Sequence, residues 1–186
     1  MERIEIITPG LVDYKIAWEM QKSIFNNLIN SSKEERRDNM KLILLEHPHV
    51  YTMGMHGNNS NVLFNEELLN RIGATYYKIE RGGDITYHGY GQLVGYPIID
   101  LDYFRIGIKE YIYRIEETII RTISEYGITG GRDDSAIGVW IEPRSSKARK
   151  ICAIGVKVSR FVTMHGFALN RSEEHTSELQ SRQVNS

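Results

Sequence analysis

The chain has 186 residues, of which 23 are Lys or Arg and 24 are Asp or Glu, for a net charge of −1. That length fits one domain able to bury a core unaided, and the near-zero charge gives no general reason to bind nucleic acid or an anionic membrane. The single cysteine excludes an internal disulfide, no apolar run is long enough to span a bilayer, and the opening MERIEIITPG has charges where a signal peptide needs an apolar stretch, so the expected compartment is the cytoplasm.

In chain order, Val12, Ile16, Met20, Ile24 and Leu28 recur at helical spacing and predict an amphipathic helix over residues 12–28. The polar run SSKEERRDN, residues 31–39, reads as a solvated loop. Lys41–Leu45 is a short apolar run and reads as a buried strand. His47 and His49 follow in EHPHV, with His56 beyond. An HxH pair on a strand can ligate a metal. Here Pro48 breaks the strand and no acidic or thiol cluster stands at ligand spacing, so these read as ordinary loop histidines. Asn65 suits the N-cap of a short helix, EELLNRI, that Gly73 stops; Ala74–Ile79 then reads as a strand.

The segment Arg81–Gly95, RGGDITYHGYGQLVG, holds five of the sixteen glycines. Glycine lets the backbone approach a ligand and turn its N–H groups toward an anion or carbonyl. Arg81, Asp84, Thr86, Tyr87 and His88 add donors and acceptors. The segment reads as a binding loop or as a glycine-rich hairpin with polar flanks. It is neither a Walker A loop nor a GxGxxG fingerprint.

Ile108, Ile112, Ile115, Ile119, Ile123 and Tyr126 make a second helical stripe, ending near Gly127. Gly138–Ile141 and Lys150–Ser159 read as a hairpin across the basic turn PRSSKAR (143–149). In its second strand Cys152, Ile154, Val156 and Val158 alternate with Ala153, Gly155 and Lys157. One face is bulky; the other starts with two small residues and leaves room against the backbone. By spacing alone Lys150 reads as solvated and Cys152 as a small buried hydrophobe. His165-Gly166-Phe167-Ala168 reads as a core turn or as the apolar wall of a pocket. The order of elements gives an α+β class with mixed sheets and flanking helices.

Residues 171–186, RSEEHTSELQSRQVNS, hold no glycine and no aromatic, with Leu179 and Val184 as the aliphatics. Such a segment buries too little apolar surface to order itself. Arg171–Ser181 resembles a translated sequencing adapter. The expected division is a domain over 1–170 and a foreign or disordered tail over 171–186, with the native sequence departing after Asn170.

Three segments in matching order, LEHPHVYTMG, RGGDITYHGYGQLVGYPIIDL and RKICAIGVKVSRFVTMHGFALN, resemble the octanoyltransferases of lipoate biosynthesis, the lipoate-protein ligase B family. The likeness runs from about Leu42 to Asn170. It implies the fold shared by biotin- and lipoate-protein ligases, an α+β sandwich with an acyl tunnel, here incomplete at its C-terminus. It implies transfer of an octanoyl group from octanoyl-acyl carrier protein to a lysine of a lipoyl domain, through a cysteine acyl-thioester. The implied acceptors are the lipoyl domains of 2-oxoacid dehydrogenases and the glycine-cleavage H protein, with no cofactor, metal, nucleic acid or membrane. Arg144, Lys147, Arg149 and Lys150 read as a solvated turn or as a patch to meet such acidic partners.

By the same resemblance Lys150 is the lysine that favours the thiolate of the nucleophile, which an adjacent ammonium does by lowering a thiol pKa. Arg81, Gly82, Gly83, Asp84, Ile85, Thr86, Tyr87 and His88 match the first substrate-binding stretch. Ala153, Ile154 and Gly155 match the second, and Gly166, Phe167 and Ala168 the third. An octanoyl chain then gains ~0.8 kcal/mol per buried methylene. The family's cysteine lies beyond HGFALN in a Pro-Cys-Gly stretch, where this chain has its tail, with Val184 near the place. Cys152 matches a position that some members fill with a non-nucleophilic cysteine. Tyr90 stands where the family usually has Pro, and Ile137 where Thr or Pro is common. The chain as written is therefore expected to be inactive and, lacking a later strand and helix, to aggregate. Two other readings stand beside this one. The first is an ATP-dependent lipoate- or biotin-protein ligase with Lys150 at an acyl-adenylate, since RGGDITYHG also resembles the ligase glycine motif. The second is a non-catalytic binder of acyl chains or lipoyl domains.

Overall fold

The structure, a computed structural model, describes residues 4–57, 66–134 and 136–171. Asp13 caps the first helix, its carboxylate accepting the N–H groups of Lys15 and Ile16 at 2.8 and 3.4 Å. This helix, α1, spans Tyr14–Asn30 and buries Tyr14, Ala17, Gln21, Phe25 and Leu28. The stripe read from sequence overlaps this inward face: Leu28 is shared and Val12, Met20 and Ile24 pack partly buried on the core, but Ile16 is 59% exposed. The tertiary contacts of Tyr14 and Gln21 set the rest of that face, and no apolar periodicity encodes them.

The predicted loop over 31–39 is instead a helix, α2, Lys33–Asn39. Ser32 and Glu35 form a reciprocal capping box, and Glu34 and Glu35 in the first turn oppose Arg36 and Arg37 in the last, as the helix dipole favours. The helix buries none of its residues, so it lacks the apolar stripe that would have announced it.

Strands β1 (Glu5–Leu11), β2 (Lys41–Glu46), β6 (Gln92–Ile98), β10 (Val162–Asn170), β9 (Arg149–Ser159), β8 (Ala136–Ile141) and β7 (Gly130–Asp133) make one sheet in the order β1-β2-β6-β10-β9-β8-β7. β1 and β2 are parallel and the other pairings antiparallel. A second sheet, β4-β3-β5, comprises β4 (Thr75–Lys78), β3 (Val50–Met53) and β5 (Ile85–His88). α1 lies over β10 and β6, and α4 (Ile108–Ser124) over β7, β8 and β9. α4 buries Tyr111, Ile115, Glu116, Ile119 and Ile123, while Ile108 and Tyr126 of the predicted stripe are exposed. The short helix α3 (Glu66–Arg71) ends before Gly73, as expected; Asn65, its predicted cap, lies outside the described residues.

The 138–159 hairpin is present as β8 and β9. The Arg81–Gly95 segment is not a hairpin. β5 pairs with β3 of the small sheet, whereas β6 pairs with β2 and β10 of the large one. The glycine segment therefore steps from one sheet to the other. His165–Ala168 is no turn either, but the middle of β10. No helix among the described residues is long and apolar enough to cross a membrane. Residues 172–186 lie outside the described residues; Arg171 N–H donates to Gly91 O at 2.9 Å.

Candidate active site

Three stretches far apart in sequence converge between the two sheets. β9 supplies Ala153, Ile154 and Gly155; β10 supplies His165, Gly166, Phe167 and Ala168; the glycine segment and β5 supply Arg81, Thr86 and His88. Tyr14 of α1, Ile79 after β4 and Tyr96 of β6 complete the wall of one cavity. The free volume between these walls is small, about 30 Å³, so an acyl chain would enter by parting them.

The approach of the glycine segment is what small residues on β9 permit. Gly82 N–H donates to Val156 O at 3.0 Å. A Cβ on Gly155 would sit 2.9 Å from Gly82 O and 3.2 Å from Arg81 Cδ. The room that the sequence left beside Gly155 is therefore taken in part by the chain's own loop, and Ala153 fronts what remains. Gly166 is tighter: a Cβ there would lie 2.2 Å from Gly95 O on the neighbouring strand.

The cavity has two characters. Ile79, Ala153, Ile154, Phe167 and Ala168 are apolar. Tyr14, Arg81, Thr86, His88, Tyr96 and His165 are polar, and Tyr14, Arg81, His88, Tyr96 and His165 are each at most 7% exposed. The Arg81 guanidinium donates to Thr52 O at 2.8 Å, Thr52 Oγ1 at 2.9 Å and Gly82 O at 3.0 Å. Burial holds its pKa below the usual value. Tyr14 stacks near His88 and lies against His47, centroids 6.0 and 5.1 Å apart.

Hydrogen bonds fix two of the buried imidazoles. His47 Nδ1 is 2.7 Å from Val12 O, a pure acceptor, so Nδ1 carries the proton and Nε2 accepts from Tyr96 Oη at 2.7 Å. His88 Nδ1 donates to Gln92 Oε1 at 2.7 Å, while Gln92 Nε2 donates to Asn170 Oδ1 at 2.9 Å. Burial lowers His47 to about 4, and burial with the nearby His47 lowers His88 to about 3. His47 is thus a buried connector between α1 and the sheet, more than the ordinary loop residue its Pro48 neighbour suggested. His49 Nδ1 meets the Tyr87 hydroxyl. Among the described residues no group of three or more His, Cys, Asp or Glu is placed to hold a metal.

Of the sequence-derived site residues, Arg81, Thr86, His88, Ala153, Ile154, Gly155, Gly166, Phe167 and Ala168 line the cavity. Gly82, Gly83, Asp84, Ile85, Tyr87 and Lys150 do not. Gly83 O accepts from His56 N–H, Asp84 O accepts from Gly54 N–H, and Ile85 and Tyr87 pack with Tyr51 in the small sheet's core. Lys150 lies apart on β9, its Nζ 4.7 Å from the Trp140 ring centroid, and burial lowers its pKa. Cys152 is fully buried in the main core opposite Val139 of β8, and burial pushes its thiol up to about 12 although Lys150 acts the other way. The possible pocket wall read at 165–168 includes His165, which lines the cavity, but sequence reading missed Tyr14, Ile79 and Tyr96 as wall residues. Tyr96 stood inside a quoted motif; Tyr14 and Ile79 carry no local signal.

This two-sheet cradle, amphipathic and open to one side, is the architecture of a lipoyl-ligase catalytic domain. Residues 13–180 match the model of the lipoyl protein ligase A/B catalytic domain family. An octanoyltransferase of Bacteroides fragilis is 51% identical over 160 residues, covering 86% of this chain and 72% of that protein. One of Flavobacterium psychrophilum is 50% identical over 177 residues, covering 92% of this chain and 76% of that protein. The chain belongs to this family, on the side of its octanoyltransferases, which are acyl-transferring enzymes. Among solved structures, lipoate-protein ligase A bound with ATP superposes with a TM-score of 0.68 at 12% identity, over 97% of this chain and 71% of that one. A bipartite lipoate protein ligase from Thermoplasma acidophilum gives 0.63 at 12%, over 98% and 72%. At such identities these likenesses speak for the fold alone.

Proposed function

We propose that the cavity receives the octanoyl group of octanoyl-acyl carrier protein for delivery to a lysine of a lipoyl domain in the cytoplasm. The observation that carries this reading is the meeting of Arg81, Thr86 and His88 with residues 153–155 and 166–168 at one cavity, with an apolar wall for the chain and a polar wall for its carbonyl end. Gly82, Gly83, Asp84, Ile85 and Tyr87 serve by holding Arg81, Thr86 and His88 in place. In this reading the domain covers residues 1–170 and 171–186 is no part of it; independent sequencing across codon 170 tests that boundary.

Lys150 in this reading lowers the pKa of a cysteine nucleophile other than Cys152. Cys152 is unfit for that role, because its thiol stays protonated near neutral pH and has no solvent path. The reading expects the chain to bind octanoyl thioesters without forming an acyl-enzyme. Mass spectrometry after incubation with octanoyl-acyl carrier protein should find no octanoyl adduct on Cys152. Iodoacetamide should alkylate Cys152 at least about 100-fold slower in the native chain than in urea, as for a thiol reached only by unfolding. An octanoylated Cys152 would overturn this assignment. The buried thiol also favours a second reading, a binder without catalysis, over covalent transfer through Cys152. ATP–pyrophosphate exchange dependent on octanoate would establish the ligase instead.

A further inference from the structure

His165 stands out from the other imidazoles near the cavity. It is 2% exposed, yet its Nε2 is buried with no hydrogen-bond partner. His47 and His88 have their protons assigned to protein acceptors. The main-chain N–H of His165 donates to Gln21 Oε1 at 3.1 Å, which anchors the backbone and leaves the ring to the cavity. The residue also holds φ at +62° inside a strand, a left-handed conformation that a histidine adopts only under constraint. A backbone outlier and an orphaned buried nitrogen at one cavity-lining residue point to a ligand atom that completes the site.

The chemistry of that atom follows from the neighbouring groups. With its O–H donated to His47, Tyr96 offers the cavity lone pairs. With Nδ1–H committed to Gln92, neutral His88 has only a lone pair left on Nε2. Arg81 spends NH1 and NH2 on Gly82 and Thr52. Tyr14 and Thr86 add hydroxyls to this wall, but of the polar side-chain atoms that line it, His165 Nε2 is the buried one without a partner among the described residues, and what a thioester presents is an acceptor, its carbonyl oxygen. His165 has one N–H to give while neutral, and burial together with the Arg81 charge keeps it neutral, with its pKa lowered to about 3.

We propose that His165 is the carbonyl-binding residue of this cavity, its Nε2–H donating to the carbonyl oxygen of an acyl thioester whose chain lies along Ala153, Ile154 and Ala168. The proposal rests on the acyl-binding reading above and goes beyond it by assigning the recognition of the carbonyl to one residue. It also sets the ligand class: carbonyl-bearing thioesters in preference to alkyl chains of equal length.

Isothermal titration of the full chain with S-octanoyl-pantetheine and with S-octyl-pantetheine, its thioether lacking the carbonyl, tests it. The unaltered chain should bind the thioester about tenfold more tightly, the worth of one hydrogen bond at a buried donor. His165→Gly and His165→Asn, which both tolerate the left-handed backbone, should bring the two probes within about twofold, since the carbonyl bond is then gone. A preference that survives in these variants overturns the proposal and leaves the acyl-binding reading intact. Failure of the unaltered chain to bind either probe overturns both. Nitrogen-15 NMR of histidine-labelled unaltered chain gives an answer even if the variants do not fold. A protonated Nε2 resonance of His165 that moves with the thioester and not with the thioether supports the assignment, and equal response to both overturns it.

Discussion

At the scale of single residues, the molecule concentrates neutral imidazole in its interior. His47, His88 and His165 are 0, 7 and 2% exposed, with pKa values brought down to about 4, 3 and 3 from 6.5, chiefly by burial. In the unfolded chain each takes up a proton near pH 6.5, while in the fold each resists until far lower. A depressed pKa of this kind gives stability that is complete above pH 6.5 and is lost as pH falls toward the folded values. Each ring contributes a loss of about 1.4 kcal/mol per pH unit within that window. Together they account for a large share of an ordinary domain's stability between pH 6.5 and the folded values. Urea melts at pH 7.5 and pH 5 should therefore show a midpoint far lower at pH 5, and His47→Gln should lessen the difference. An unchanged midpoint would mean that these rings are not neutral in the interior. Left without a partner, the His165 Nε2 group would cost about 1–3 kcal/mol, a cost that the proposed thioester carbonyl would remove.

At the scale of elements, the strand pair β6–β10 shows how a motif glycine acts. A Cβ on Gly166 would meet Gly95 O at 2.2 Å and Pro97 Cδ at 2.6 Å, main chain and ring that cannot rotate aside. On Gly155 the contacts are 2.9 and 3.2 Å, to the glycine loop and to the Arg81 stem. Gly166→Ala is expected to destabilise by about 3 kcal/mol or more, and Gly155→Ala by about 1–2 kcal/mol, read by chemical denaturation. Gly155→Ala should also weaken thioester binding, because it displaces Arg81. The α2 helix shows what patterning leaves out. Its signature, Ser32 with Glu35 three residues on, stands in the sequence, but without an apolar stripe the polar run resembled a loop.

At the scale of the whole molecule, one ion pair ties distant segments together. Arg36 on α2 donates to Asp100 Oδ2 at 3.1 Å, to Ile29 O at 3.0 Å and to Arg160 O at 3.2 Å. The Asp100 side chain is 3% exposed. Breaking such a pair from one side leaves a charge buried and unpaired. Arg36→Ala should cost about 3–5 kcal/mol, seen as a fall in Tm, whereas replacing both members by apolar residues should cost less. Equal losses in the single and double variants would show that the pair does not bear on the stability of the fold.

The amino-acid sequence by itself determined the α+β class, four of the ten strands and two long helices, since apolar period and helix stops are local properties. It also determined the three motif segments, because glycine and small-residue patterns state where a backbone must come close. Tertiary structure alone decided that Tyr14 and Gln21 of α1 turn inward, that residues 85–88 and 92–98 join different sheets, and that Gly155 admits the chain's own loop. Tertiary structure alone also placed Tyr14, Ile79, Tyr96 and the orphaned ring of His165 on the cavity wall. The physical reason is range. Periodicity and capping act within a few residues, whereas burial, proton assignment and cavity shape draw on groups far apart along the chain, 35 and 49 residues for the partners of His47 and 144 for Gln21 and His165, which only the packed sheets bring within bonding distance.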